Sequence, residues 1–170
     1  MKVGMAPIMV RLYRSDDVEA IGRVHASSRG AAYDGLVPAE ALAKVTPETQ
    51  TEFWRGRMSL PASSAFVAKR DGEVVGFVAL LETEEGTELS AIHLLPDVVG
   101  TGVGSALMEA AVEHARARGA EALHLFVIEG NERARTFYTR TGWRLTGTAG
   151  THELGGAQVD IVRYELSLAV

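Results

Sequence analysis

Apolar positions along the chain change their period several times, and each change marks an element. Ile8 to Tyr13 is short and β-branched, as a first strand would be. Ser15, Asp16 and Asp17 supply a helix start with acid at the positive end of the dipole. Val18, Ile21, Val24 and His25 then recur at spacings of three and four. Gly30 to Pro38 reads as a break, and Thr46-Pro47-Glu48 opens a second helix with Thr as cap, Pro in the first turn and Phe53 and Trp54 as apolar anchor.

From there the period falls to two. Ala65 to Lys69, the tight turn Asp71-Gly72 and Val74 to Leu81 predict a hairpin. Glu85-Gly86 turns the chain into a third strand over Glu88 to Leu95, ended by Pro96 and Gly100. Val103, Ala106, Leu107, Ala110, Ala111, His114 and Ala115 make an amphipathic helix that stops at Gly119. The unbroken apolar run Leu123 to Ile128 is a buried strand, and Asn131 to Thr141 a short helix closed by Gly142. Trp143 to Thr148 and Gln158 to Leu166 are two last strands joined at Gly155-Gly156. The predicted order is β-α-α-β-β-β-α-β-α-β-β. No repeat or linker divides it, so the expectation over residues 1–170 is one α/β domain with a mixed central sheet flanked by helices.

Composition narrows the chemistry. A formal net charge of −5 argues against a general nucleic-acid binder. The chain has no cysteine, which removes disulfides, thiolate nucleophiles and Cys-based zinc sites. Its five histidines are scattered without metal-ligand spacing, so no metal is expected. No apolar run approaches the ~20 residues of a membrane span, and Met1 to Val10 carries one Lys and no apolar core of a signal peptide. A cytoplasmic protein without a membrane partner is the resulting expectation.

The segment Leu94-Leu95-Pro96-Asp97-Val98-Val99-Gly100-Thr101-Gly102-Val103-Gly104-Ser105 carries the strongest chemical signal. A strand ends, three glycines alternate, and a helix begins. Helix N-termini expose unpaired N–H groups with partial positive charge, and glycine lets backbone approach phosphate oxygens. A P-loop would need a Lys before Ser or Thr at the loop's end, and none is present. A dinucleotide fingerprint would need G-x-G-x-x-G, but the sixth position is Ser105 from Gly100 and Leu107 from Gly102. Acyl-CoA binding and a plain strand-to-helix connection remain.

This segment resembles the Q/R-x-x-G-x-G/A loop of the GNAT family of N-acetyltransferases, with Gly102 and Gly104 at the two small positions. Val99 stands where the pattern has Gln or Arg, which removes one side-chain contact to phosphate and leaves the backbone cradle. Glu88 to Pro96 is similar to the family's fourth strand. Asn131-Glu132-Arg133-Ala134-Arg135-Thr136-Phe137-Tyr138 with Gly142-Trp143 resembles its N-x-x-A-x-x-F-Y…G-F/W stretch. The resemblance spans roughly Ala65 to Trp143. It implies acetyl-CoA as co-substrate and direct acetyl transfer to a primary amine of a small molecule or a protein. A non-catalytic acyl-CoA-binding or regulatory module on the same fold is the alternative, and pairing of two copies through the last strands is an assembly such a fold allows.

The resemblance also assigns roles. Ile92, His93 and Leu94 would offer backbone groups to the pantetheine arm, and Val99, Gly100, Thr101, Gly102, Val103, Gly104 and Ser105 would surround the pyrophosphate. Asn131 would hydrogen-bond the cofactor, although an N-cap explains it equally. Tyr138 matches the family's general acid, against an aromatic core residue. Glu88 is the first choice of base for the amine, set against a solvated carboxylate at a strand start. His93 ranks second, because strict alternation faces it away from Glu88 unless a bulge intervenes, and Glu129 third. Glu82, Glu84, Glu85 and Glu88 read as a solvated face near one turn. Tyr33-Asp34-Gly35-Leu36-Val37-Pro38 looks like a segment that shapes the acceptor pocket in one group of small GNAT proteins, making Tyr33 a substrate contact.

Overall fold

A computed structural model of the chain describes residues 6–33, 35–154 and 156–169. Strand β1 (Met9–Leu12) leads through a 3-10 turn at Ser15–Asp17 into helix α1 (Val18–Ala32). A single helical turn, α2 (Ala39–Leu42), precedes α3 (Pro47–Met58). Then come β2 (Ser63–Arg70), β3 (Glu73–Thr83), β4 (Gly86–Leu94), α4 (Val103–Ala117), β5 (Ala122–Ile128), α5 (Glu132–Arg140), β6 (Arg144–Leu154) and β7 (Ala157–Ser167). The predicted order holds, with α2 added. The expected break at Gly30 does not occur; α1 runs on to Ala32, because a helical glycine with nothing near its Cβ position costs only about 1 kcal/mol. Gly155, half of the expected last turn, and Asp34 lie outside the described residues.

One seven-stranded sheet runs in the order β1-β2-β3-β4-β5-β7-β6. All neighbours are antiparallel except β4 and β5. The β2–β3 turn forms as predicted: Asp71 and Gly72 both take positive φ, 51° and 79°, the geometry of a two-residue hairpin turn.

Helices cover both faces. On one, α4 and α5 bury Val103, Leu107, Ala111 and Tyr138 against Val78, Leu80, Leu123 and Leu125. On the other, α1 and α3 bury Ile21, Val24 and Trp54 against Val67, Phe77 and Ala79. α1 and α3 approach closely at Gly22, where an added Cβ would lie 2.8 Å from the Thr51 backbone. At the entry to α1 the Asp17 carboxylate accepts two hydrogen bonds from Arg11 of β1, at 2.8 and 2.9 Å, and one from the Arg14 backbone N–H at 2.7 Å. That ion pair ties the edge strand to the first helix.

Candidate active site

Two irregularities in β4 create the site. The parallel pairing of β4 with β5 is confined to Thr87 with Leu123 and Glu88 with His124. Beyond it the strands part, while β4 stays paired to β3 as far as Leu94 and β5 to β7 as far as Ile128. A cleft of about 1100 Å³ opens there, walled by Ser90 to Leu94 on one side and Phe126 to Ile128 on the other. The β4 backbone edge facing this gap has no strand partner, so its N–H and C=O groups are available to a ligand lying along it.

The second irregularity is a bulge. Leu80 pairs with Leu89 but Ala79 with Ala91, leaving Ser90 as an extra residue. Leu81, Ala79 and Phe77 share a sheet face, so their partners Glu88, Ala91 and His93 share it too. Glu88 and His93 therefore stand on one wall of the cleft, the wall covered by α1 and α3, and the condition that had set His93 apart is lifted.

His93 sits in an aromatic cluster. Its ring stacks on His25 of α1 with centroids 4.1 Å apart and an interplanar angle of 26°, and its Nδ1 is 3.1 Å from Ser28 Oγ. Trp54 Nε1 donates to His25 Nδ1 at 2.8 Å. That bond makes Nδ1 the acceptor and assigns the proton of neutral His25 to Nε2. Burial first, then charge interactions with the His93 ring and the Arg29 guanidinium, hold His25 far below the ordinary histidine range. Burial first and Arg29 second push half-buried His93 down to about 3. Both rings are neutral at physiological pH.

Tyr138 of α5 forms the opposite side. Its ring packs at 5.7 Å from Phe137 and 6.0 Å from both Trp143 and Tyr164, and it is 7% exposed. Among the described residues none hydrogen-bonds its hydroxyl. Burial and the neighbouring Tyr33 phenol raise its pKa well above the usual value, so the hydroxyl stays protonated. Tyr33, just past α1, thus lies close to Tyr138, and the Arg29 guanidinium sits 5.6 Å from its ring centroid. The expected acidic face divides: Glu82, Glu84 and Glu85 are exposed, whereas Glu88 is half-buried and lines the cleft.

The glycine loop closes the far end. Gly100 and Gly102 take φ of 80° and 93°, conformations that suit glycine, and nothing lies within 4 Å of where their Cβ atoms would be. Gly102 caps α4 without any side-chain hydrogen bond, unlike α3 and α5, which Thr46 and Asn131 cap. The N–H groups of the first turn of α4 are left uncapped by side chains beside the cleft. Val99, Gly100, Gly102, Gly104 and Ser105 line it. Thr101 instead turns its hydroxyl to the Val98 carbonyl, and the Val103 side chain is fully buried, so these two face away with their side chains. Asn131 lines the cleft and accepts from the Ala134 N–H at 3.2 Å, so the capping role is observed. Glu129 is not among the lining residues.

Sequence reading passed over His25, Ser28, Arg29 and Trp54 as site residues. The available signal was on α1: positions 25, 28 and 29 continue the apolar stripe of Val18, Ile21 and Val24 with polar side chains.

A half-parted mixed sheet with an uncapped glycine-rich helix start at one end of its gap, and carboxylate, imidazole and phenol on its walls, defines a class of fold built to hold an elongated anionic ligand between two strands. The chain belongs to the acetyltransferase (GNAT) family, whose pattern matches residues 32–143. It is 31% identical over 149 residues to an uncharacterized N-acetyltransferase of Archaeoglobus fulgidus, covering 84% of this chain and 97% of that protein. It is 38% identical over 96 residues to an uncharacterized N-acetyltransferase of Mycobacterium bovis, covering 56% of this chain and 61% of that one, so this match spans about three fifths of the relative's length. Among solved structures, the PaiA N-acetyltransferase of Thermoplasma acidophilum in complex with coenzyme A shares the fold, with a TM-score of 0.76 at 22% identity over 95% of this chain and 99% of that one.

Proposed function

We propose that this protein transfers an acetyl group from acetyl-CoA to a primary amine. The observation that carries the reading is the meeting, in one cleft, of an uncapped helix start with Tyr138 on one wall and Glu88 and His93 on another. The Gly100–Ser105 loop would hold the pyrophosphate, and the free edge of Ile92, His93 and Leu94 the pantetheine arm. When bound, acetyl-CoA supplies an activated acyl group and a thiolate that must leave.

The protein's own residues account for the proton movements. An incoming ammonium must lose a proton before it can attack. Glu88 holds a carboxylate on the acceptor wall and takes that proton, directly or through water. Neutral His93, anchored by Ser28 and His25, has too little basicity to store the proton and serves to pass it and to orient the amine. The Tyr138 hydroxyl is a proton donor throughout the physiological range, suited to meet negative charge developing on sulfur. Water is kept from this corner by Phe137, Trp143 and Tyr164.

Thermal unfolding with acetyl-CoA, NADH and ATP tests the assignment. A ligand held at ~100 times its dissociation constant stabilises the native state by about 2.7 kcal/mol. The expected result is a rise in Tm with acetyl-CoA alone, followed by CoA release in the presence of amines. A rise with NADH or ATP but not acetyl-CoA defeats the reading, and binding without turnover of any amine reduces the protein to an acyl-CoA-binding module.

A further inference from the structure

Arg29 is a cation in the acceptor half of the cleft, and among the described residues no carboxylate forms an ion pair with it. Helix α1 points His25, Ser28 and Arg29 along one face into the cleft. Among the described residues, none of the ion pairs includes Arg29. Its Nε is buried and has no hydrogen-bond partner, and its guanidinium is held against the Tyr33 ring. Its charge is felt by both His25 and His93. A second donor waits nearby. His25 is 3% exposed, its Nδ1 is used by Trp54, and its Nε2–H is buried without a partner. Buried polar groups are nearly always hydrogen-bonded, and a donor left unmatched beside a cleft is one that a ligand there can satisfy.

We propose that Arg29, assisted by the His25 Nε2–H, is a carboxylate subsite, and that the amine acceptor is a free amino acid or a similar small amino-carboxylate. This rests on the acetyl-transfer reading of the same cleft. A guanidinium pairs with a carboxylate through two parallel N–H donors. Glu88, which lines the same cleft, offers negative charge to the ammonium end. The two opposite charges lining one cleft complement a zwitterion. A peptide N-terminus fits poorly, since its nearest carboxylate has become an amide with no charge for Arg29. Of the other charged groups on the cleft, Arg57 stacks at 4.9 Å on Phe53 of its own helix, Glu132, Arg133 and Arg140 come from α5, and Glu153 from the β6 end.

The test uses the whole chain, which has no cysteine, so that a thiol reagent reads released CoA without background. Free amino acids are compared with their amides, their decarboxylated amines and a peptide with a free N-terminus, and amino-acid binding to the CoA complex is measured by calorimetry. The expected result is a preference of roughly 10–100-fold in kcat/KM for the acids. In Arg29→Gln the acceptor KM for the acids rises by a similar factor and the preference disappears, while Arg29→Lys recovers part of it and the acetyl-CoA thermal shift is unchanged. Equal use of amides or peptides overturns the proposal, as does failure of any amino acid to bind or react. Loss of the acetyl-CoA shift in Arg29→Gln would assign the arginine to the cofactor and overturn it as well. Amino-acid binding that depends on Arg29, in a protein that acetyl-CoA does not stabilise, would defeat the transferase reading and leave the carboxylate subsite standing.

Discussion

The protonation states of Tyr138 and His93 limit what the cleft can do. Tyr138 is kept as phenol by burial and by Tyr33, and His93 as neutral imidazole by burial and Arg29. Glu88 is the carboxylate on the same wall as His93. Tyr138→Phe preserves the ring packing against Trp143 and Tyr164 and deletes only the hydroxyl, so kcat falls by about 10–100-fold with acetyl-CoA affinity nearly unchanged. Glu88→Gln lowers kcat/KM by a comparable factor and most strongly at low pH, where more of the amine is protonated. Steady-state kinetics over pH 6–9, a working range, check both, and a fully active Glu88→Gln would overturn the assignment of Glu88 as the base. At this scale the sequence was legible wherever a residue type carries its own chemistry. Glu88, His93, Tyr33, Tyr138 and Asn131 all line the cleft. Arg29 and His25 were not legible, because nothing in a string of residues says which surface arginine lacks a partner or which histidine a tryptophan has fixed.

Elements were legible in their order more than in their ends. Helix α1 overran its glycine, and β6 reaches Leu154 rather than Thr148, since an exposed edge strand has little apolar alternation to reveal it. Element pairing was hidden too. Nothing in sequence marks Gly22 as the point where α1 and α3 touch, nor Arg11 and Asp17 as the clasp between β1 and α1. The side chains of that clasp are only 18% and 8% exposed, so removing one partner strands the other. Asp17→Ala destabilises the fold by about 2–4 kcal/mol in urea unfolding. The Arg11 hydrogen bond lowers the Asp17 pKa below its ordinary 3.8. The unfolded chain therefore takes up the proton first as pH falls. The clasp is at full strength above that value and is lost as pH drops through the folded one, and acid titration of wild type against Asp17→Ala should converge there.

The whole molecule inherits a pH dependence from its site. His25 is neutral when folded and ordinary when unfolded, where its pKa is near 6.5. Below that value the unfolded chain binds a proton that the native chain refuses, so stability falls with pH at a slope approaching about 1.4 kcal/mol per unit. Equilibrium unfolding from pH 7 to 5, a working range, should show this slope together with the like contribution of His93, whose pKa is also depressed, and His25→Gln should remove the His25 share. If the two proteins have parallel profiles, the imidazole is accessible to protons in the native state. The binding partner of Trp54 Nε1 is thus also the point at which acid attacks the fold.

Ser90 adds nothing chemical to this cleft, yet its presence sets the parity of β4. Iron out the bulge while keeping all four residues between Glu88 and His93, and every side chain beyond Ser90 changes sides: the imidazole would enter the α4 core and Leu94 would face the acceptor. Homologous strands of equal length, one bulged and one regular, would share a fold and an alignment column while presenting different functional groups to the ligand, so comparison of catalytic residues across such proteins has to follow odd and even positions from the bulge rather than distance along the chain.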